Sequence, residues 1–305
     1  MRSAGSELRR AWSERPIMVP GAFNALTAQM AERLGFEAVY LSGGALSAGW
    51  AGVPDIGLLG LSEFVAQASI LVRATRLPVI SDADTGFGDV VNVEQTVRLF
   101  EQVGVAGIHI EDQVLPKRCG HLSGKALVKP SQMVEKVRAA VASRSDPHFV
   151  VIARTDARSV EGFDAAVDRA LAYIDAGADM IFPEALESAD EFERFARRVP
   201  VPLMANMTEF GRSPLLPFDT LALLGYRAVL YPLTAFRAAM KAAEATLRGL
   251  REAGTQVPLL SQFQTRAELY DLIGYRDWEA RDRLYFSRDI PPDEPEPPPR
   301  PTPND

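Results

Sequence analysis

The 305-residue sequence has a single cysteine, Cys119. A lone thiol has no partner within the chain, so stapling by internal disulfides is excluded and a reducing cytoplasm is the expected compartment. Histidine is nearly as scarce. His109, His121 and His148 are scattered and make no zinc-site spacing. No apolar run approaches the roughly 18 residues of a membrane span. Met1 to Arg15 is polar and charged and lacks the apolar stretch of a signal peptide, so no membrane partner is expected. Positive charge is not in excess either. With 33 Lys and Arg against 40 Asp and Glu the net charge is −7, which gives no general attraction for nucleic acid. An anionic small substrate therefore needs a local cationic pocket or a metal.

What is present is an alternation of short apolar runs with longer amphipathic stretches. The runs are Ile17 to Val19, Ala38 to Leu41, Pro78 to Ile80, Gly107 to Ile110, Phe149 to Ile152, Met180 to Phe182, Pro202 to Met204 and Ala228 to Tyr231. Each is nearly continuous in apolar residues, as strands buried on both faces are. Between them, Val93 to Gln102 and Phe163 to Asp175 have helical spacing, the latter closed by Gly177. Eight such units predict an α/β fold, a (β/α)8 TIM-type barrel with extra C-terminal helices over Leu233 to Ala253 and Arg266 to Tyr275. The alternative is a doubly wound open sheet, which the missing glycine-rich dinucleotide fingerprint after the first strand weakens. Residues 1–290 are expected to form one barrel domain. The proline-dense stretch 291–305 is expected to be a disordered tail, and residues 1–10 are expected to be loose.

Polar residues follow the apolar runs: Ser42-Gly43-Gly44, Asp82-Ala83-Asp84, Glu111-Asp112, Arg154-Thr155-Asp156, Glu184, and Asn206-Met207-Thr208-Glu209. In a barrel these carboxyl ends meet on one rim, where active sites are built. Asp82 and Asp84, two apart on a strand, point to one side, and like charges so placed call for a cation or a shared proton. With Glu111 nearby the donors are all oxygen, which favours Mg²⁺ or Mn²⁺ over zinc. Alone, an Asp-x-Asp pair more often caps a helix or solvates a loop.

The segment Leu115 to Lys129 carries Lys117, Arg118, Cys119, His121, Lys125 and Lys129, with Gly120 and Gly124 between them. It reads as a basic loop over the rim, suited to a polycarboxylate. One cysteine is by default a small buried hydrophobe, but these neighbours are charged. Flanked by Lys117, Arg118 and His121, Cys119 is expected to be an acid–base residue with a stabilised thiolate that regains its proton when an anionic ligand binds. Arg154, Arg237 and Arg266 are further candidates for bidentate carboxylate contacts.

From about Pro16 to Tyr275 these motifs resemble the isocitrate lyase / phosphoenolpyruvate mutase superfamily. The residues that carry the resemblance are Tyr40 to Gly44, Asp82 to Gly88, His109 to Gln113, Lys117 to His121, Ala153 to Ala157, Phe182 to Ala185, Asn206 to Gly211, Tyr231 to Leu233 and Gln264 to Arg266. The resemblance implies a barrel whose last helix is exchanged between subunits of a homotetramer. It implies Mg²⁺ and retro-aldol cleavage of 2-methylisocitrate to pyruvate and succinate, a step of propionate catabolism by the methylcitrate cycle. By the same resemblance Ser42, Gly43 and Gly44 bind the pyruvate-forming part with Asp55 beside it. Asp82 and Asp84 hold the metal with Glu111 close by, and Cys119 and Gly120 lie on the loop that closes over substrate. Arg154, Glu184, Asn206, Thr208, Arg237 and Arg266 contact substrate or support the site. Phe182 stands where isocitrate lyases typically carry a larger tryptophan, which leaves room for a methyl group. Thr85 and the proline-rich tail depart from the family pattern.

Neighbouring activities in that superfamily act on isocitrate, dimethylmalate or oxaloacetate, or form phosphonates. The Lys117 to His121 loop favours a carbon–carbon lyase among them, because that reaction needs an acid for its carbanion. A catalytically silent barrel is the remaining alternative, and intact Asp82, Asp84, Glu111 and Cys119 argue against it.

Overall fold

The computed structural model describes residues 3–122 and 124–286. Each apolar run enters a strand, Pro202 to Met204 only through its last residue: β1 (Ile17–Pro20), β2 (Val39–Leu41), β3 (Val79–Asp82), β4 (Gly107–Glu111), β5 (Val150–Thr155), β6 (Met180–Pro183), β7 (Met204–Asn206) and β8 (Ala228–Tyr231). All pairings are parallel, in the orders β1-β8-β7 and β2-β3-β4-β5-β6. A single parallel bridge spans each seam, Gly21 with Tyr40 and Ile181 with Leu203. Neighbours therefore follow sequence order and return from β8 to β1. That is a barrel, not a doubly wound sheet, whose strand order would reverse at a switch point.

Side chains alternate across each strand, and the two faces enter different cores. Val39, Ile108, Val151, Ile181 and Val229 pack outward with Phe100, Val137, Tyr173 and Phe195 of the surrounding helices. Tyr40, Ile80, Ile152, Phe182, Met204 and Leu230 pack with one another inside the ring. The helix Phe163–Asp175 stops where expected: Gly177, at φ 103°, donates to the Ile174 carbonyl while Ala178 donates to Tyr173.

Two expectations fail. Most of the segment 1–10 is not loose, because a helix runs over Ala4–Glu14, with the Ser3 hydroxyl oxygen accepting from the Ser6 N–H at 3.2 Å. Leu8 and Trp12, one turn apart, enter the inner cluster, and Arg9 ties the helix to Asp179 at 2.8 Å. Burying that pair is what orders a segment whose other residues are polar. The helix expected to reach Tyr275 ends at Leu272; Gly274, at φ 66°, reverses the chain and a second helix occupies Tyr275–Phe286.

Two compact units are distinguished, the first running through Lys241 and the second starting at Ala242. The second contains Arg266–Leu272 and Tyr275–Phe286, with Tyr270 stacked on Tyr275 at 4.4 Å between centroids. Leu247, Leu250, Leu260 and Trp278 are exposed there. The proline-rich stretch 291–305 lies outside the described residues. Among the described residues no helix is long and apolar enough to cross a membrane.

Candidate active site

Stepping by two along each inward-facing column leads from apolar core to polar rim. Tyr40 gives way to Ser42, Ile80 to Asp82, His109 to Glu111, Ile152 to Arg154, Phe182 to Glu184, and Met204 to Asn206 and then Thr208. Over these ends lies a cavity of about 60 Å³. Its lining includes Ser42, Gly44, Asp55, Asp82, Lys117, Arg118, Cys119, Gly120, His121, Arg154, Phe182, Glu184, Asn206 and Thr208. Asp84 and Glu111 are buried at 4% and 1% exposure.

The acidic side is built around β3. Asp82 accepts from the Gly43 amide at 3.1 Å and from the Asp84 amide at 2.9 Å. A Cβ at Gly43 would stand 2.6 Å from Asp82 Oδ2, so this close approach needs glycine. The Gly43 N–H is thereby engaged by a protein carboxylate, while Ser42 caps the short helix Gly43–Leu46. Burial works against the charge on Asp82, but His109 and Lys117 hold its carboxyl below the ordinary range. Asp84 is pushed up to about 7 by burial, against the pull of Lys117, with Asp82 and Asp55 adding repulsion. Asp84 also takes a left-handed φ of 45°, an uncommon conformation that aspartate tolerates.

Lys117 lies between carboxylates, with Nζ 2.5 Å from Asp55 Oδ1 and 2.8 Å from Asp84 Oδ1. Burial opposes its charge, and the facing Glu111, Asp84, Asp82 and Asp55 nevertheless hold the ammonium well above its usual range. The opposite side centres on Arg154. Its guanidinium meets Asp156 at 3.0 and 3.2 Å, Glu111 at 3.2 Å and Glu184 at 3.4 Å. Glu184 is buried, yet Arg154, His121 and Lys125 hold it ionised far below the usual carboxylate range. Asn206 donates to Glu184 at 3.2 and 3.3 Å, and its own Oδ1 is buried without a hydrogen-bond partner.

The basic loop meets the protein's own carboxylates. His121 Nε2 is 2.8 Å from Glu184 Oε1, and its Nδ1 accepts from the Arg212 amide at 2.9 Å. The Gln113 side chain holds both the amide and the carbonyl of Arg118, at 2.9 and 2.8 Å. Gly120 presses on the barrel so closely that a Cβ would overlap Arg154 and Glu184. Cys119 stands exposed at the mouth of the cavity. The expected thiolate is not what this environment favours. Partial desolvation and the Glu184 charge raise the thiol, against the His121 amide and Arg154. Lys117 is turned to Asp55 and Asp84, and His121 to Glu184, instead.

Most of the predicted site residues thus converge: Gly43, Asp84 and Glu111 contact lining residues without lining the cavity themselves, and Arg237 does not line it. Arg237 pairs with Glu209 at 3.5 Å and lies over the Phe210 ring. Arg266 belongs to the second unit, in the first turn of a helix capped by Thr265. Sequence reasoning gave no individual role to His109 or Asp156, and gave Lys125 only as a cation of the basic loop. His109, fully buried, sits 2.5 Å from the Tyr40 hydroxyl and 3.3 Å from Asp82, and burial lowers its pKa to about 4. Lys125 and Asp156 form a buried pair at 2.7 Å. For His109 the signal was its place two residues before Glu111 on one strand.

Among the described residues no three His, Cys, Asp or Glu side chains converge as a protein-only metal set. Magnesium does not require one, since it keeps several waters and takes one or two carboxylates. Two features fit it: Glu111 Oε1 is buried with no hydrogen-bond partner, and Asp84 faces the cation Lys117 across 2.8 Å. Both places offer oxygen donors in need of positive charge.

A parallel barrel with carboxylates, cations and a thiol converging on its carboxyl rim defines a barrel enzyme that works on small anionic molecules. The phosphoenolpyruvate phosphomutase family model matches residues 8–251. A 2-methylisocitrate lyase of Aeropyrum pernix is 54% identical over 279 residues, covering 91% of this chain and 90% of that one. The solved 2,3-dimethylmalate lyase superimposes with a TM-score of 0.87 at 34% identity, covering 93% and 96% of the two chains. Phosphonopyruvate hydrolase, solved with oxalate and Mg²⁺, gives 0.85 at 32% identity, covering 94% and 100%. The chain belongs to the phosphoenolpyruvate mutase/isocitrate lyase superfamily.

Proposed function

We propose that this chain is a carbon–carbon lyase that cleaves 2-methylisocitrate to pyruvate and succinate. The observation that carries the reading is the placement of Cys119, Asp82 and Arg154 around one cavity. A thiol raised above its ordinary range, in the same cavity as Asp82, supports its role as a proton donor. The high identity to 2-methylisocitrate lyases over nine-tenths of the chain supports the same substrate.

In this reading the hydroxyl proton leaves to the carboxylate and water network around Asp82 and Asp84. The oxygen electrons form the keto carbonyl of pyruvate, and the bond to the neighbouring carbon breaks. That carbon keeps the bonding pair as a carbanion next to a carboxylate. Cys119 delivers the thiol proton to it, completing succinate. Arg154, itself buried, supplies fixed positive charge where the anion develops. Asp82 and Asp84 would hold Mg²⁺, with Glu111 through water. When bound, the metal would lower the pKa of the substrate hydroxyl. Phe182 is 1% exposed between His109 and Arg154 and sets the width of the pocket at the methyl group.

The exposed Leu247, Leu250, Leu260 and Trp278 support a homotetramer with exchanged C-terminal helices. The single cysteine supports a cytoplasmic setting. The reading is tested by pyruvate release from 2-methylisocitrate, isocitrate, 2,3-dimethylmalate and oxaloacetate, each with Mg²⁺ and with chelator. The highest kcat/KM is expected on 2-methylisocitrate, abolished by chelation. Equal or better turnover of oxaloacetate, or turnover indifferent to chelator, would contradict it.

A further inference from the structure

Lys125 is one of the loop cations expected to hold a polycarboxylate. The structure gives it a different contact. Its side chain is 1% exposed and that of Asp156 is 0% exposed, with Nζ 2.7 Å from Asp156 Oδ1. The same ammonium donates to the carbonyl of Gly120, the residue after Cys119. A buried ammonium persists only when paired, and this one uses its pairing to join the peptide beside the thiol to the end of β5.

The anchor it grips is fixed from several sides. Asp156 holds Arg154 through both oxygens, and its amide donates to Asp112 Oδ1 at 2.9 Å. Asp112 Oδ2 in turn accepts from the hydroxyls of Thr155 and Tyr173, each at 2.8 Å. Gly120 is pressed against Arg154 and Glu184 with no room for a side chain. On the Gly120 side of Cys119 the loop is therefore held by a buried cation and a close backbone approach, while Gln113 holds Arg118 on the other side.

We propose that Lys125 is a positioning residue for Cys119, clamping the Gly120 carbonyl to Asp156 so that the thiol is held at the mouth of the cavity. The assignment rests on the reading of Cys119 as proton donor, and a displacement of about 1 Å at such a group costs on the order of 10²-fold in rate. Lysine suits the task because its compact ammonium serves two oxygens at once.

The test uses the full chain with Lys125→Met, Lys125→Gln and Lys125→Arg. Lys125→Gln decides the matter if Lys125→Met does not fold. Two quantities are read: the rate of Cys119 alkylation by iodoacetamide without substrate, and kcat and KM on 2-methylisocitrate with Mg²⁺. Removing the charge is expected to speed alkylation about fivefold or more and to lower kcat by roughly 10²-fold, with KM changed far less. Lys125→Arg recovers part of both. Alkylation or kcat within about twofold of the native chain in the charge-free variants overturns the proposal. A native chain without turnover would defeat the functional reading instead, and alkylation would still decide the clamp.

Discussion

The Lys117 ammonium lies 2.8 Å from Asp84 Oδ1, on one of the two carboxylates proposed to hold the metal. A cation from the loop that carries the acid thus sits on the metal side of the site. Lys117→Met removes a positive charge next to the proposed ligands. At an effective dielectric near 20 that charge is worth at least a kcal/mol or so, so Mn²⁺ is expected to bind roughly tenfold more tightly to the variant. Titration of free Mn²⁺ by electron paramagnetic resonance measures this directly. Unchanged or weaker binding would show that Lys117 does not compete with the metal.

Cys119 has a raised thiol pKa, set first by desolvation and then by the Glu184 charge. A raised value keeps the proton on sulfur through neutral pH and releases it only above the range of an ordinary cysteine. The rate of alkylation by iodoacetamide is therefore expected to stay low near pH 8, with its inflection above the reference thiol value of 9.0. An inflection below that reference would restore the thiolate expected from the basic neighbours in sequence.

Phe182 fills the space between His109 and Arg154, with ring-to-ring and ring-to-guanidinium distances of 5.4 and 5.3 Å. A larger ring there narrows the pocket. Phe182→Trp is expected to shift the kcat/KM ratio of isocitrate to 2-methylisocitrate upward by about 10-fold or more, the scale of one methyl group in a pocket. Competition between the two substrates gives the ratio. A ratio that does not move would remove Phe182 from substrate selection.

Trp12 is 5% exposed and joins the inner barrel cluster from the N-terminal helix. Trp12→Ala is expected to cost about 3–5 kcal/mol of stability while leaving KM nearly unchanged, because the residue packs with the core and not with the cavity lining. Urea unfolding gives the first quantity and steady-state kinetics the second. A midpoint shift below about 1 kcal/mol would mean the helix is not a structural part of the barrel.

The barrel was legible because strands buried on both faces are written as unbroken apolar runs, and because polar residues mark the carboxyl end of each. Asp82, Glu111, Arg154, Glu184 and Asn206 all follow from that rule. The N-terminal helix was not legible. Its two core residues, Leu8 and Trp12, are diluted by charged neighbours, and only their shared burial reveals it. The basic loop was legible as a loop over the rim but not in its contacts. Composition shows that Lys117, His121 and Lys125 are cations or donors. It does not show whether the anion each one meets is a substrate or the protein's own Asp55, Glu184 or Asp156. His109 was hidden for the same reason: a histidine on an apolar strand reads as core until its distance to Asp82 is known.

The account turns on the proton that Cys119 gives to the succinate carbanion. The direct measurement is kcat for 2-methylisocitrate cleavage, with Mg²⁺ saturating, in the native chain and in Cys119→Ala. Loss of a general acid predicts a fall of about 10²- to 10⁴-fold with KM much less affected. Full turnover by Cys119→Ala would contradict it.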